Sequence, residues 1–276
     1  MQVDLAGMEL EARSLGGIET CIEVPLHKLA FDIGRCPDTA LRRSTVLVTH
    51  AHIDHLAGLP WHAAMRALRG MSEPLYVVPP EIVPGLEALF AAWDQLDNGV
   101  LPHRLQPLAP GERHTLRRGL EVEPFRAPHR TVAQGYALIE TRRSLRSELR
   151  GLPGEELGER RRRGEEVDEV EEIVQLAFTG DTRIEVVERS HLVREARRLV
   201  IECTFLDDAV PPADAARMGH VHLRQLAQVG ELLEAEAILL THFSARYRRR
   251  DILAALDREL SPELRARVQP LLPGAP

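Results

Sequence analysis

A chain of 276 residues, 44% hydrophobic and 28% charged, carries enough apolar material for one large mixed domain or two small ones and is too balanced for a disordered or fibrous protein. Its net charge of −7 argues against a nucleic-acid substrate, since phosphate binding normally needs clustered Lys and Arg, although this is a global sum and the charges are unevenly distributed. Cys21, Cys36 and Cys203 form an odd set without C-x-x-C spacing, which argues against a disulfide framework, and no apolar run approaches the length of a membrane span. The N-terminus lacks a basic region followed by an apolar one, so the expectation is a cytoplasmic protein with no membrane segment.

Taken in chain order, short apolar runs alternate with amphipathic stretches. Strands are predicted over 29–32 and 45–50, then a helix over 59–69, a strand over 75–78 and a helix over 82–96. Strands follow at 120–125, 136–140 and 174–178, a helix at 183–197, a strand at 199–202, a helix at 222–235, a strand at 237–241 and a helix at 249–260. Pro79-Pro80 and Asn98-Gly99 mark breaks, and no internal repeat is visible. The pattern defines an α/β architecture.

Residues 141–172 depart from this alternation. Between 141 and 163 eight arginines (142, 143, 146, 150, 160, 161, 162 and 163) face four glutamates, and from 164 to 172 six acids stand unopposed. Composition alone fits a solvated linker or an arm whose arginines grip phosphates, and does not choose between them.

The chemistry concentrates in Thr49-His50-Ala51-His52-Ile53-Asp54-His55, which follows the apolar run Val46-Leu47-Val48. Alternate side chains of a strand share a side, so His50 and His52 leave the strand end together, and Asp54 and His55 sit where the chain must turn. Imidazole and carboxylate donors so held suit a borderline divalent metal such as zinc. Other candidates also follow predicted strands: His129 in Ala127-Pro128-His129-Arg130, Asp181 in Thr179-Gly180-Asp181-Thr182, and His242 after Leu239-Leu240-Thr241. Seven donors suit two metals. The assignment is His50, His52 and His129 to one ion, Asp54, His55 and His242 to the other, and Asp181 between them.

The Thr-His-Ala-His-Ile-Asp-His run resembles the signature of the metallo-β-lactamase superfamily. Further segments resemble the tRNase Z family, the tRNA 3′-processing endoribonucleases. They are Phe31–Pro37, Gly135-Tyr136, Phe178–Thr182, Glu202–Asp208, Gly219-His220-Val221-His222-Leu223 and His242–Tyr247, in family order over nearly the whole chain. Cys203 stands where that family usually has Ser or Ala. The resemblance is closest to the short form found in plants. It implies an αββα sandwich of two mixed sheets flanked by helices, in a single domain over 1–276 with 141–172 inserted as a charged exosite arm. It also implies two Zn2+ per chain (Mn2+ as the other option), a precursor tRNA substrate and a homodimer.

The implied reaction is hydrolysis of the phosphodiester 3′ of the discriminator nucleotide. His220 is the candidate proton donor, Glu202 the residue that orients it, and Asp54 the candidate for orienting the attacking water. His222 is read as structural. Arg246, with Ser244 assisting, and Arg160, Arg161, Arg162 and Arg163 in the arm are the candidate substrate contacts. The nearest rival is a dinuclear hydrolase of a small phosphodiester, nucleotide or ester, which would need no arm. A nucleic-acid-binding protein that has lost catalysis is a third reading, disfavoured by the intact donor set.

Overall fold

The structure, a computed structural model, describes residues 1–273. One seven-stranded sheet holds, in order, β1 (Gln2–Leu5), β2 (Met8–Leu15), β3 (Glu19–Val24), β4 (Leu29–Phe31), β5 (Thr45–Leu47), β6 (Leu75–Val78) and β7 (Arg104–Pro107). A second holds β8 (His114–Arg117), β9 (Leu120–Arg126), β10 (Gln134–Leu145), β11 (Asp168–Phe178), β12 (Arg198–Glu202), β13 (Ala237–Thr241) and β14 (Val268–Pro270). In each sheet the first four strands pair antiparallel and the last four parallel. A structural repeat thus exists where no sequence repeat is visible.

The helices are α1 (Ile53–Leu56), α2 (Leu59–Leu68), α3 (Val83–Asp97), α4 (Gly154–Arg162), α5 (Glu185–Arg189), α6 (His191–Arg194), α7 (Pro212–Met218), α8 (Leu223–Val229), α9 (Arg249–Glu259) and α10 (Pro262–Arg267). Three apolar clusters define the layers. One joins the facing sides of the two sheets, with Phe31, Leu47 and Val77 against Tyr136, Phe178 and Leu239. Another packs Val46, Tyr76 and Val78 of the first sheet under Leu59, Ala63, Leu86 and Phe90 of α2 and α3. The third packs Leu199, Ile201 and Leu240 of the second sheet under α5, α6, α8 and α9. This is the expected αββα sandwich, and its buried strands read as continuous apolar runs because both faces are covered.

Several boundaries differ from the sequence expectations. The strand expected at 45–50 ends its ladder at Leu47, and His50 is held instead by an isolated bridge to Ala133. The helix expected at 183–197 is two short ones, interrupted by extended backbone at Ser190. In one continuous helix Val187 and Leu192 would lie about 140° apart around the axis; the interruption lets both enter the core. The helix expected at 222–235 stops at Val229, and the chain continues through a tighter turn where Gly230 lies under Leu264. Sequence reading missed β1 to β3, although Met8, Leu10, Ala12 and Ser14 alternate inward along β2. It also missed α7 and the edge strands.

Segment 141–172 is an ordered extension, not a linker. Its flanks extend β10 and β11 as a hairpin, with Arg142 opposite Glu171 and Leu145 opposite Asp168, and α4 sits at its tip. The basic and acidic blocks pair with each other: Arg146 lies 3.0 Å from Glu166 and Arg161 2.8 Å from Asp168. Cross-strand pairs of opposite charge favour this register.

Gly34, in the loop after β4, lies so close to α1 that an added Cβ would stand 2.0 Å from the carbonyl oxygen of Asp54. Gly34→Ala should therefore destabilise the protein by about 2 kcal/mol or more, lowering the melting temperature by about 5 °C. Gly85→Ala, with nothing within 4 Å of its added Cβ in α3, should be neutral or slightly stabilising in the same thermal scan.

Candidate metal centre

Parallel strands carry their C-terminal ends to one edge, which is where an α/β sheet exposes its chemistry. Asp32 follows β4, His50 to His55 follow β5, Asp181 follows β11, Glu202 closes β12 and His242 follows β13. His129 arrives from the loop after β9, which runs in the same direction, and His220 from the segment after α7. The backbone is pinned where these strands end. The Tyr136 hydroxyl donates across the sandwich to the Val48 carbonyl at 2.8 Å, and the Gln134 amide N–H bonds the Thr49 carbonyl at 3.1 Å. His242 takes a left-handed φ of 60°, held by its amide N–H on Ser14 Oγ at 3.0 Å.

All seven expected ligands meet. Ligand atoms of His50, His52, His129 and Asp181 lie within 4.8 Å of one another, and so do those of Asp54, His55 and His242. Asp181 stands between the groups, with Oδ1 3.2 Å from His55 Nε2 and 3.3 Å from His242 Nε2, and Oδ2 3.8 Å from His50 Nε2. Asp54 Oδ2 lies 3.6 Å from His55 Nε2 and 3.5 Å from His242 Nε2, and accepts the Gly17 amide N–H.

The opposite ends of the rings are anchored. His55 Nδ1 donates to Asp32 at 2.7 Å and His129 Nδ1 to the Gly219 carbonyl at 2.8 Å. Thr49 donates its hydroxyl to Asp32 and accepts His50 Nδ1–H at 2.9 Å. Thr204 donates to Glu202 and accepts His242 Nδ1–H at 2.9 Å. These tautomers follow from the network, and they leave each Nε2 with a lone pair. The sequence reading named neither Asp32, Thr49 nor Thr204 as site residues. Asp32 could have been found as a polar residue ending an apolar strand; the two threonines give no signal beyond their place beside ligands.

Does a metal fit? Nε2 of His50, His55, His129 and His242, and Oδ1 of Asp181, are buried and without hydrogen-bond partners. Orphaned polar atoms are costly, and a divalent cation held among these five would satisfy them. Burial and the neighbouring His55 drive His50 down to about 2, and burial lowers His129 and His52, so these rings are the neutral ligand form. Burial opposes charge on His55, yet Asp181 and Asp32 outweigh it and raise its pKa; this carboxylate pair demands positive charge at the ring. Nitrogen and carboxylate donors in this number fit zinc-type divalent ions.

His220 stands at the edge of the cluster, where a ring nitrogen lies within 4.8 Å of ligand atoms of Asp181 and His242, and it is engaged by another carboxylate. Its Nδ1 lies 2.8 Å from Glu202 Oε1, and the ring stacks on His242 at 5.3 Å and meets the edge of Phe205 at 6.1 Å. Burial lowers its pKa, but the Glu202 charge and hydrogen bond, with Asp181, push it up to about 9. Nε2 has no hydrogen-bond partner among the described residues, and the side chain is 17% exposed. Glu202 is itself buried and saturated, accepting from Thr182, Val221 and Thr204 as well. His222 caps α8: its Nδ1 accepts the Arg224 amide N–H and its Nε2–H faces the Asp207 carbonyl. That geometry is structural.

Ser244 and Arg246 lie on the turn after His242, with Arg246 Nε on Ser244 Oγ at 3.2 Å and its guanidinium 5.5 Å over Phe205. Arg160, Arg161 and Arg162 belong to α4 and Arg163 ends it. The hairpin runs from Gln134, beside the site, to Leu145, which carries the tip about 35 Å away along the strand. Arg160, Arg161 and Arg163 are ion-paired with acids of the same arm. The three cysteines are free and buried, and no described helix is long and apolar enough to cross a membrane.

Residues 31–152 match the family model for the β-lactamase superfamily domain. The crystal structure of human tRNase Z, short form, superposes with a TM-score of 0.60 at 20% identity, covering 86% of this chain and 93% of that one. Fold and site together define a hydrolase of the metallo-β-lactamase fold. In sequence, tRNase Z TRZ1 of Arabidopsis thaliana is 39% identical over 276 residues, 99% of this chain and 98% of its own. The chloroplastic tRNase Z TRZ2 of the same plant is 35% identical, over 99% of this chain and 77% of its own. The chain belongs to the tRNase Z family.

Zinc-loaded protein should contain about two divalent ions per chain by elemental analysis. Asp181→Ala should bring this below one, because both groups lose the carboxylate they share.

Proposed function

We propose that this protein is a tRNA 3′-processing endoribonuclease, hydrolysing the phosphodiester 3′ of the discriminator nucleotide of precursor tRNA. The observation that carries the reading is the His220–Glu202 pair, bonded at 2.8 Å beside the seven-donor cluster in a chain of the tRNase Z family. The products are a tRNA with a 3′-hydroxyl and a trailer with a 5′-phosphate.

Two Zn2+ ions, with Mn2+ as a substitute, would be held by His50, His52 and His129 and by Asp54, His55 and His242, with Asp181 shared. Bound there they supply Lewis-acid charge for the phosphate oxygens and acidify a water. The remaining work falls to the chain. Asp54, kept ionised with a pKa of about 2, accepts a hydrogen bond from the attacking water and orients it; burial works against that charge, and His242 and His55 overcome the cost. His220 carries a proton on its Nε2 and delivers it to the departing 3′-oxygen. Glu202 stabilises the imidazolium and fixes its plane, as a carboxylate behind a general acid does. Arg246 and Ser244 hold the flanking phosphate, and the arginines 160–163 of the arm meet the tRNA away from the cut.

A homodimer is supported by apolar side chains left exposed on α1 and α2 next to the ligand segment: Ile53 is 76% exposed and Trp61 58%. The compartment proposed is the cytoplasm.

His220→Ala should retain both metals by elemental analysis while turnover falls about 10²- to 10⁴-fold; loss of metal would make His220 a ligand instead. Incubation with a precursor tRNA and mapping of the ends should give one cut after the discriminator nucleotide. Hydrolysis of small chromogenic phosphodiesters with the precursor left intact would overturn the reading.

A further inference from the structure

The residues Arg246-Tyr247-Arg248-Arg249-Arg250-Asp251 place four arginines against one acid directly after the ligand segment at His242. Asp251 is already engaged: one oxygen accepts the Arg248 amide N–H at 3.0 Å and the other lies 3.4 Å from Arg250 Nε. Among the described residues Arg246 has only Ser244 Oγ and the Phe205 ring as partners, and Phe205 in turn touches the ring of His220. Arg248 and Arg249 are exposed, and neither has a carboxylate partner among the described residues.

Five of the arm's eight arginines show the opposite arrangement, while Arg143, Arg150 and Arg162 have no carboxylate partner among the described residues. Arg142 lies 3.1 Å from Glu140, Arg146 3.0 Å from Glu166, Arg160 3.1 Å from Glu156, Arg161 2.8 Å from Asp168 and Arg163 3.5 Å from Glu165. A phosphate reaching those arginines must displace a carboxylate. At the turn after His242 it meets guanidinium groups already free, each a fork matched to phosphate oxygens. In a protein of net charge −7, Arg246 beside Phe205 and His220, with Arg248 and Arg249 following it in the chain, leaves cationic groups without acid partners on the segment that carries His242.

We infer that Arg246, Arg248 and Arg249 form a phosphate grip at the catalytic end, binding consecutive backbone phosphates of the RNA strand that crosses the metal centre. The inference rests on the reading that RNA is the substrate. The grip reads no base, since guanidinium–phosphate contacts carry no sequence information. It supplies the local affinity that holds the scissile strand in register while the arm engages the substrate elsewhere.

The test uses the zinc-loaded full-length protein and an Arg248→Gln/Arg249→Gln double variant. One measurement is the salt dependence of binding to a 12-nucleotide single-stranded RNA; the other is steady-state cleavage of precursor tRNA. The variant's slope of log affinity against log salt should be shallower by about 1.4, as for two lost contacts on a single strand. KM for precursor tRNA should rise about tenfold, a size set by the same electrostatic term, with kcat little changed. The Arg248→Lys/Arg249→Lys variant should restore most of the slope, which separates lost charge from a damaged fold. An unchanged slope and KM in the glutamine variant would overturn the grip. Should the wild type leave precursor tRNA uncut, the RNA-processing reading fails by itself, and the slope on the short RNA still decides whether the grip exists.

Discussion

The Asp181 carboxylate, buried among imidazoles, is the constraint on which the rest of the structure depends. Its two oxygens lie between 3.2 and 3.9 Å from ring nitrogens of His55, His242, His50 and His220. Burial opposes its charge, and His242, His55 and His50 more than compensate, holding its pKa well below the usual carboxylate range. A charge kept ionised out of water needs counter-charge on every side. The orphaned Nε2 atoms around it therefore make sense as donors to a common cation, and the hydrogen bonds on each far nitrogen as the means of aiming them.

That aiming uses the two sheets in parallel ways. In the first, Asp32 orients Thr49, which orients His50. In the second, Glu202 orients Thr204, which orients His242. Each relay runs from a buried carboxylate at a strand end through a threonine to a ring, and the two face each other across the seam of the sandwich. The seam is closed by backbone contacts between halves, such as the Gly16 amide N–H on the Phe243 carbonyl at 3.0 Å. Glu202 also holds His220, so a single carboxylate positions both a candidate ligand and the candidate proton donor. Damage to Glu202 would disturb two functions at once.

The distribution of arginines divides the molecule by charge. Five of the eight arginines of the hairpin arm are matched by acids on the same hairpin, each exposed pair adding little stability. Arg246, Arg248 and Arg249, after His242, have no acid partner among the described residues, whereas Arg250 pairs with Asp251. Net charge conceals this difference, because it sums a largely paired surface with one whose arginines are mostly unpaired.

The sequence by itself determined the local chemistry. The His50–His55 run, and a His or Asp after each of three further apolar segments, sufficed to name seven of the eight donors that the structure gathers within 4.8 Å in their groups, the eighth being His220, which stands with Asp181 and His242. They were legible because strand ends present polar residues at fixed spacing, and few other patterns place so many imidazoles together. Amphipathic periodicity likewise located α2, α3 and α9 closely. Tertiary structure decided what the sequence reading did not reach: the split at Ser190, which depends on where the core lies, and the assembly of β1 to β3 as a meander that joins the sheet through β4. It also decided the second layer of the site. Asp32, Thr49 and Thr204 matter only through neighbours that folding brings to them, and His220 differs from His222, two residues away, only in facing Glu202 instead of capping a helix. Hydrogen-bond partners far apart in the chain leave no periodicity to read, so this part of the protein exists only once the two sheets have closed on each other.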